Sequence, residues 1–204
     1  MATPERSDGP TRRGPARRSA GRRTEILDAA AHLFAARGFH GVPIEEIGRA
    51  VGVSGPALYR HFPGKEALLA AVLVDVSERL LAGGSAAVAA AAGPADALDA
   101  LLAGHVEFAL SEPALITVHD RELGNVPEVP RRAVRRLQRR YVELWVAVLA
   151  ELAPGAPREA LRAAVHATFG LLNSTPYSAG RLPRAETAAL LTAMARAALH
   201  AVNA

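Results

Sequence analysis

Three consecutive side chains, Tyr59, Arg60 and His61, could bind phosphates or base edges. In a helical pattern, Leu58 and Phe62 are four residues apart and take the buried face, so Tyr59 and Arg60 must point away from it. A phenol and an imidazole can bond to phosphate oxygens, and a guanidinium can fork onto O6 and N7 of guanine. The alternative is a three-helix core with these groups on a solvated face.

In the segment around these residues, the helix-starting and helix-ending residues have the spacing expected for a helix-turn-helix. A first helix is predicted over about residues 23–37, and Gly38 ends it. A second helix covers residues 43–50, Gly52 breaks it, and a third covers about residues 55–62. Two short helices joined by a glycine-containing turn form a helix-turn-helix.

The start of the third helix has the composition expected for a close approach to DNA. Ser54 is placed as its N-cap, with the side-chain oxygen accepting from a first-turn amide. Gly55 and Ala57 are small enough for the backbone to enter a major groove, and free amides at a helix N-terminus favour phosphate. Lys65, the only lysine, opens the next helix, where a contact to the DNA backbone is expected.

Basic charge is concentrated in the first third of the chain. The formal net charge is +4, and residues 1–65 hold 11 of the 24 basic side chains but 6 of the 20 acidic ones. This distribution is typical of a nucleic-acid-binding module joined to a neutral domain. Residues 1–21 are predicted to be a disordered basic arm, which either follows phosphates or the minor groove, or is a solubilising tail. The arginines in question are Arg12, Arg13, Arg17, Arg18, Arg22 and Arg23.

The rest of the chain is predicted to be helical. Alanine and leucine dominate, no convincing strand pattern occurs, and Pro or Gly marks each gap. The chain has no cysteine, which excludes disulfides and fits a cytoplasmic location, and no run of about 18 apolar residues predicts a membrane span. The helices are expected at about residues 65–82, 95–110, 113–123, 128–152, 157–178 and 184–202.

The segment from Ile26 to Leu73, ILDAAAHLFAARGFHGVPIEEIGRAVGVSGPALYRHFPGKEALLAAVL, resembles the N-terminal domain of TetR-family transcriptional regulators. The resemblance rests on the first-helix Leu-Phe, the Arg-Gly-Phe end, the Gly-Val-Ser turn, Leu-Tyr-x-His-Phe and Lys-Glu-x-Leu. It implies an all-α fold of about nine helices. A helix-turn-helix DNA-binding domain would cover residues 22–66, and a ligand-binding and dimerisation domain residues 67–204. The last two helices would pair in a homodimer.

The same resemblance implies the residues that contact DNA. This chain departs from the family in having Val42-Pro43 where members often have a Thr or Ser cap. It also has Gly55 where many members have Lys or Arg. Without that polar side chain, Arg60 is expected to make a larger share of the contacts that read the bases. The implied DNA-contacting residues are Thr24, Ser54, Gly55, Ala57, Tyr59, Arg60, His61 and Lys65.

Polar and aromatic side chains in the second domain could line a cavity between helices. Pro176 is expected to bend the helix that begins near residue 157. An aromatic residue at helical spacing is more often part of the core than of a ligand wall, so both interpretations stay open. The candidates are His105, Phe108, Tyr141, Trp145, His166, Phe169 and Asn173.

A stripe of arginines follows one face of the helix predicted over residues 128–152. It is either a solvated face with partners inside the helix, or a site for an anionic ligand head group such as the phosphates of coenzyme A. Its members are Arg131, Arg132, Arg135, Arg136, Arg139 and Arg140.

Sequence motifs for catalysis are absent. No P-loop or dinucleotide fingerprint occurs, the Gly52–Gly55 segment lacks the strand and spacing of a nucleophile elbow, and the histidines show no paired metal spacing. No enzyme activity, metal or cofactor is therefore expected. We expect a dimeric repressor that binds a palindromic operator and is released by a small hydrophobic or acyl-CoA-like effector. The alternatives are an activator and a ligand-independent DNA-binding protein.

Overall fold

In a computed structural model, which describes residues 15–178, 180 and 182–201, the described chain consists of helices and connections without a strand. Nine α-helices of seven residues or more, one single-turn α-helix and one 3-10 helix (Leu123–Asn125) occur in this part, which confirms the all-α expectation. The α-helices are α1 (Pro15–Arg37), α2 (Ile44–Ala50), α3 (Gly55–His61), α4 (Lys65–Ala90), α5 (Pro94–Ser111), α6 (Pro113–Glu122), α7 (Glu128–Leu152), α8 (Arg158–Leu172), α9 (Thr175–Ser178) and α10 (Arg184–His200).

Three predicted boundaries differ from the observed ones. Helix α1 begins at Pro15, so residues 15–21 of the expected disordered arm are helical, and residues 1–14 lie outside the described part. Helix α4 continues to Ala90, because Gly83 and Gly84 do not break it. The helix predicted over residues 157–178 divides near Asn173, just before Pro176, into α8 and the short α9.

Two apolar clusters hold the fold together. The first joins α1, α2 and α3 to the start of α4, to α6 and to the start of α7, so the core of the N-terminal helices continues past residue 66. The second joins α5, α7, α8 and α10. The partly buried Leu80 of α4 packs against both clusters. Helix α4 therefore connects the two halves of the molecule.

Within the described ranges, no single helix is long and apolar enough to cross a membrane. Among the described residues, only helix α5 and residues 113–125 taken together have the length and composition of a membrane span, and these two segments are bent by 84° relative to each other.

Candidate DNA-binding surface and effector cavity

The turn between α2 and α3 depends on two glycines. Gly52 has a φ of +65°, which an L side chain rarely adopts. A Cβ on Gly48 would lie 2.8 Å from the carbonyl oxygen of Val53, so only glycine lets α2 approach the turn this closely. Leu58 of α3 is fully buried beneath this turn. The sequence pattern identified Gly52 but not Gly48, because a close approach in space has no local signal.

Helix α3 presents its polar groups outward, as expected. Tyr59 is 47% exposed and Arg60 is exposed, while Leu58 and Phe62 are buried. The Tyr59 hydroxyl donates to Glu45 Oε1 over 3.3 Å, and the guanidinium of Arg60 has no partner among the described residues. Arg60 is therefore available to an external ligand.

The start of α3 is also open. Gly55 has nothing within 4 Å of where a Cβ would lie, and Ala57 and His61 are partly exposed. Ser54 takes the N-cap backbone conformation, with φ −67° and ψ 151°, but its hydroxyl makes no capping hydrogen bond. Its carbonyl instead accepts from the amides of Ala57 and Leu58. The expected side-chain cap is thus corrected, and the Ser54 hydroxyl remains exposed.

The arginines at the junction of the predicted arm and α1 pack on the helix-turn-helix. Arg22 pairs with Glu25 at 2.7 Å and donates to the carbonyl of Val51 at 3.0 Å. The guanidinium carbon of Arg23 lies 4.7 Å from the centre of the Phe62 ring. Thr24 is exposed on the same turn of α1. Of the other arm arginines, Arg12 and Arg13 lie outside the described residues.

Lys65 has a different environment from the one expected. Its Nζ donates to the carbonyls of Phe39 at 2.8 Å and Val42 at 3.1 Å, and it lies 4.4 Å from the centre of the Phe39 ring. Two of the three ammonium donors are therefore used within the protein. The family pattern could not reveal this, because both carbonyls belong to the connection between α1 and α2.

A cavity of about 300 Å³ lies between the helices of the second half. Six of the seven residues proposed from the sequence line it, together with apolar side chains of α4 and α6. The six are His105, Phe108, Tyr141, His166, Phe169 and Asn173. Trp145 is the exception, because it is completely buried behind the cavity and packs its indole against Phe169 at 5.1 Å. The assignment of Trp145 to the wall is therefore corrected to a supporting role.

His105 is the central polar group of this wall and is only 2% exposed. With Asn173 presenting its carbonyl oxygen, His105 Nε2 donates to it over 3.0 Å, which leaves Nδ1 to accept from the Tyr141 hydroxyl at 3.4 Å. The Phe169 ring stacks on the imidazole at 4.6 Å. Burial lowers the pKa of His105 to about 4, although the bond to Asn173 opposes this shift. The imidazole is therefore neutral near pH 7.

A second polar pair, His119 and Gln138, also lines the cavity, and no sequence signal had singled out Gln138. The Gln138 amide donates to His119 Nε2 over 2.6 Å, and His119 Nδ1 then donates to Asp120 over 3.2 Å. Both residues line the cavity on the side where His166 is exposed. We call the region lined by His119, Gln138 and His166 the polar end of the cavity.

The arginine stripe borders a surface groove that adjoins this polar end. Gln138, Val142 and His166 line both the groove and the cavity. Arg131 and Arg132 pair with Glu128, as the interpretation of partners within the helix requires. The other four stripe arginines have no ion-pair partner among the described residues, and they line the groove: Arg135, Arg136, Arg139 and Arg140.

Two family models match this chain. Bacterial regulatory proteins of the tetR family match residues 26–72, and the Tetracyclin repressor-like C-terminal domain matches residues 91–199.

Individual proteins agree with these models. The HTH-type transcriptional repressor KstR2 of Rhodococcus jostii is 30% identical over 130 residues, 63% of this chain and 64% of KstR2. The HTH-type transcriptional activator FasR of Mycolicibacterium smegmatis is 39% identical over 79 residues, 39% of this chain and 36% of FasR. The chain thus spans less than two thirds of the length of these curated relatives.

A solved structure extends the likeness to the whole fold. The transcriptional regulator FadR of Bacillus subtilis, in complex with stearoyl-CoA, is similar with a TM-score of 0.71 at 17% identity, covering 89% of this chain and 97% of FadR. Together with the two family models, this likeness identifies both halves of the molecule. The chain belongs to the TetR family, whose members are regulatory proteins rather than enzymes.

Proposed function

We propose that this protein is a homodimeric repressor that binds a palindromic DNA operator and leaves it when a small hydrophobic or acyl-CoA-like molecule occupies the cavity. The observation that carries the proposal is the combination of an open recognition helix with a cavity lined by α4 and α6, the two helices that also pack on the DNA-binding helices. A ligand can shift the protein between DNA-binding and released states only by binding one of them more tightly.

On the DNA side, α3 is the recognition helix. Arg60 reads a base edge, because it is exposed and has no partner among the described residues, whereas Tyr59 and His61 bind phosphates. Ser54, Gly55 and the other small residues at the start of the helix allow its amides to approach the backbone. In the dimer, the two recognition helices occupy major grooves about 34–36 Å apart.

On the effector side, the cavity suits an apolar group and the groove suits an anion. The inner wall is built from aromatic and aliphatic side chains, and the four unpaired arginines lie outside its polar end. An acyl-CoA has this division, with an apolar chain and a phosphate-bearing head that arginine recognises well. The stearoyl-CoA bound by FadR supports the same ligand class.

The dimer uses α8 and α10, the last two long helices. Helix α10 exposes two large apolar side chains, Leu190 at 50% and Met194 at 47%, which a monomer would leave in water. Their burial against a second copy is the expected use of this face. Size-exclusion chromatography with light scattering should give a dimer, and Met194→Glu should shift it toward the monomer.

The function is tested by fluorescence anisotropy on a labelled duplex from upstream of the protein's own gene. Tight binding that acyl-CoAs of one chain-length class reverse is the expected result. The double variant Arg135→Gln/Arg139→Gln should weaken release by acyl-CoA at least ten-fold while operator affinity is kept. Arg132→Gln is the matched control, because its guanidinium is already paired with Glu128. If the double variant and the control respond equally, the stripe is a solvated face.

An activator is the second candidate, which the similarity to FasR favours. In a transcription assay with purified polymerase, a repressor lowers transcription from the bound promoter and an activator raises it. Both outcomes keep the DNA-binding and effector assignments. A ligand-independent DNA-binding protein would instead be indicated by operator affinity that no occupant of the cavity changes.

A further inference from the structure

One residue of the DNA-binding half, Phe39, is held from two sides by the helices that line the cavity. Phe39 lies in the connection between α1 and α2 and is 4% exposed. Its amide donates to Glu122 Oε1 over 3.1 Å, and its carbonyl accepts from Lys65 Nζ over 2.8 Å. Glu122 is the last residue of α6, and Lys65 is the first residue of α4.

Glu122 is suited to transmit a displacement. Its side chain is buried, and its second oxygen accepts from Asn125 over 2.7 Å, so the carboxylate is fixed at both ends. A buried carboxylate in this position is retained only while its hydrogen bonds are made, because losing a partner leaves a costly unsatisfied group. The contact with Phe39 is therefore either made fully or broken.

Helix α6 reaches the cavity about one to two turns before Glu122, and α4 reaches it about three to four turns after Lys65. Helix α6 lines it with Leu115, Ile116 and His119, and α4 lines it with Val76, Ser77 and Leu80. An occupant that pushes α6 away from α4 changes the separation of Glu122 and Lys65. Phe39 cannot keep its hydrogen bonds to both Glu122 and Lys65 when these two residues separate. Lys65 also donates to the carbonyl of Val42 at 3.1 Å, and Val42 lies two residues before the start of α2.

We infer that Glu122 and Lys65 form a clamp on Phe39 that couples the cavity to the orientation of the helix-turn-helix. Both are positioning residues, and neither touches DNA. The inference rests on the proposed function, and it assigns Lys65 to signal transmission instead of the phosphate contact that the family pattern implies.

The clamp is tested with the full chain and the operator duplex, without any effector. Coupling is reciprocal, so DNA bound to the helix-turn-helix must also change α6. Hydrogen–deuterium exchange of residues 113–122 should slow about five-fold or more when wild type binds the duplex. Glu122→Met and Lys65→Met should abolish this slowing, and Glu122→Gln, which keeps one acceptor oxygen, should retain part of it. Glu66→Gln, an exposed carboxylate beside Lys65, is the control and should behave as wild type.

The salt dependence of operator affinity separates the clamp from a DNA contact. If Lys65 binds a phosphate, Lys65→Met removes one contact from each subunit of the dimer and should flatten the slope of log K against log salt by about 1.8. The clamp predicts an unchanged slope. A flattened slope, or protection by DNA that stays within α1–α3 in the wild type, would overturn the inference. Wild type that binds no duplex would instead overturn the proposed function, and the clamp with it.

Discussion

Adjacent glycines in α4 should respond in opposite directions to the same substitution. A Cβ on Gly84 would lie 2.7 Å from Tyr141 Cε2 and 3.2 Å from a methyl carbon of each of Leu101 and Leu144, whereas a Cβ on Gly83 meets nothing within 4 Å. Alanine is favoured over glycine inside a helix by about 0.8–1.0 kcal/mol at either position. Gly83→Ala should therefore stabilise the protein by about that amount.

At Gly84 the same gain is opposed by overpacking. The Tyr141 ring cannot move away easily, because it stacks on His105 and its hydroxyl bonds to that imidazole. Overpacking of a filled core costs about 1–3 kcal/mol. Because the gain in helix propensity is the same at both positions, only the overpacking separates the two variants. Gly84→Ala should therefore be about 1–3 kcal/mol less stable than Gly83→Ala.

Denaturant and thermal unfolding at one protein concentration measure this difference directly. For a chain of this length, each kcal/mol corresponds to a change of about 2–4 °C in Tm. Because the displaced Tyr141 lines the cavity, Gly84→Ala should also reduce effector binding, and Gly83→Ala should not. Equal stabilisation by both substitutions would refute the close approach of α4 to α7.

Three further predictions concern the binding surface and the cavity. Arg60→Ala should cost about 1–3 kcal/mol on the operator and relax base preference in anisotropy titrations, and a uniform loss on all duplexes would make Arg60 a phosphate contact. Trp145→Ala should lower the free energy of unfolding in urea by about 3–5 kcal/mol, since the indole is part of the buried core. A variant of unchanged stability with altered effector binding would mean that Trp145 lines the cavity. His105 has a folded pKa below its unfolded value, so its contribution to stability is present above about pH 7 and is lost as the pH falls from about 6.5 toward 4. Relative to His105→Gln, the wild type should lose about 2 kcal/mol of unfolding free energy by pH 5. Parallel pH profiles of the two proteins would contradict the burial of His105 as a neutral ring.

The sequence was sufficient for the helices and for most of the cavity wall because those signals are local. Proline and glycine flank α3 and α7, so the bounds of these two helices were predicted almost to the residue, whereas Gly83 and Gly84 inside α4 led to an end placed too early. Helical spacing likewise brought His105 and Phe108 to one face of α5. It could not separate Tyr141 from Trp145, which are four residues apart on the same face of α7. Only the packing of α8 decides which of the two meets the cavity.

The sequence pattern could not predict contacts between segments that are far apart along the chain. Glu122 resembled any acidic residue near a helix end, yet the chain brings it to an amide 83 positions earlier. The family pattern assigned Lys65 to the DNA backbone, and nothing local indicated that its ammonium would bond to the carbonyls of Phe39 and Val42. Gly84 gave no sign of its role, because the side chains that require a glycine there come from α5 and α7.

The distribution of polar groups in the cavity determines how an occupant must enter. Both ring nitrogens of His105 are already used within the wall, and its faces are covered by Phe169 and Tyr141, so the inner end offers an occupant no free polar group from this residue. His166 has no partner within the described ranges and lies at the junction with the arginine groove. An amphipathic effector should therefore enter apolar end first, with its charged end left in the groove.

This orientation predicts how affinity depends on chain length. Each methylene buried in the cavity contributes about 0.8 kcal/mol, or about four-fold in Kd, until the volume of about 300 Å³ is filled. Beyond that length, further methylenes must displace wall residues, so affinity should level off or fall. Calorimetric titration with a series of acyl-CoAs should give this rise and limit, whereas free coenzyme A should bind only weakly through the arginines. Affinity that does not change with chain length would mean that the chain stays outside, and the inner cavity would then have no part in recognising the effector.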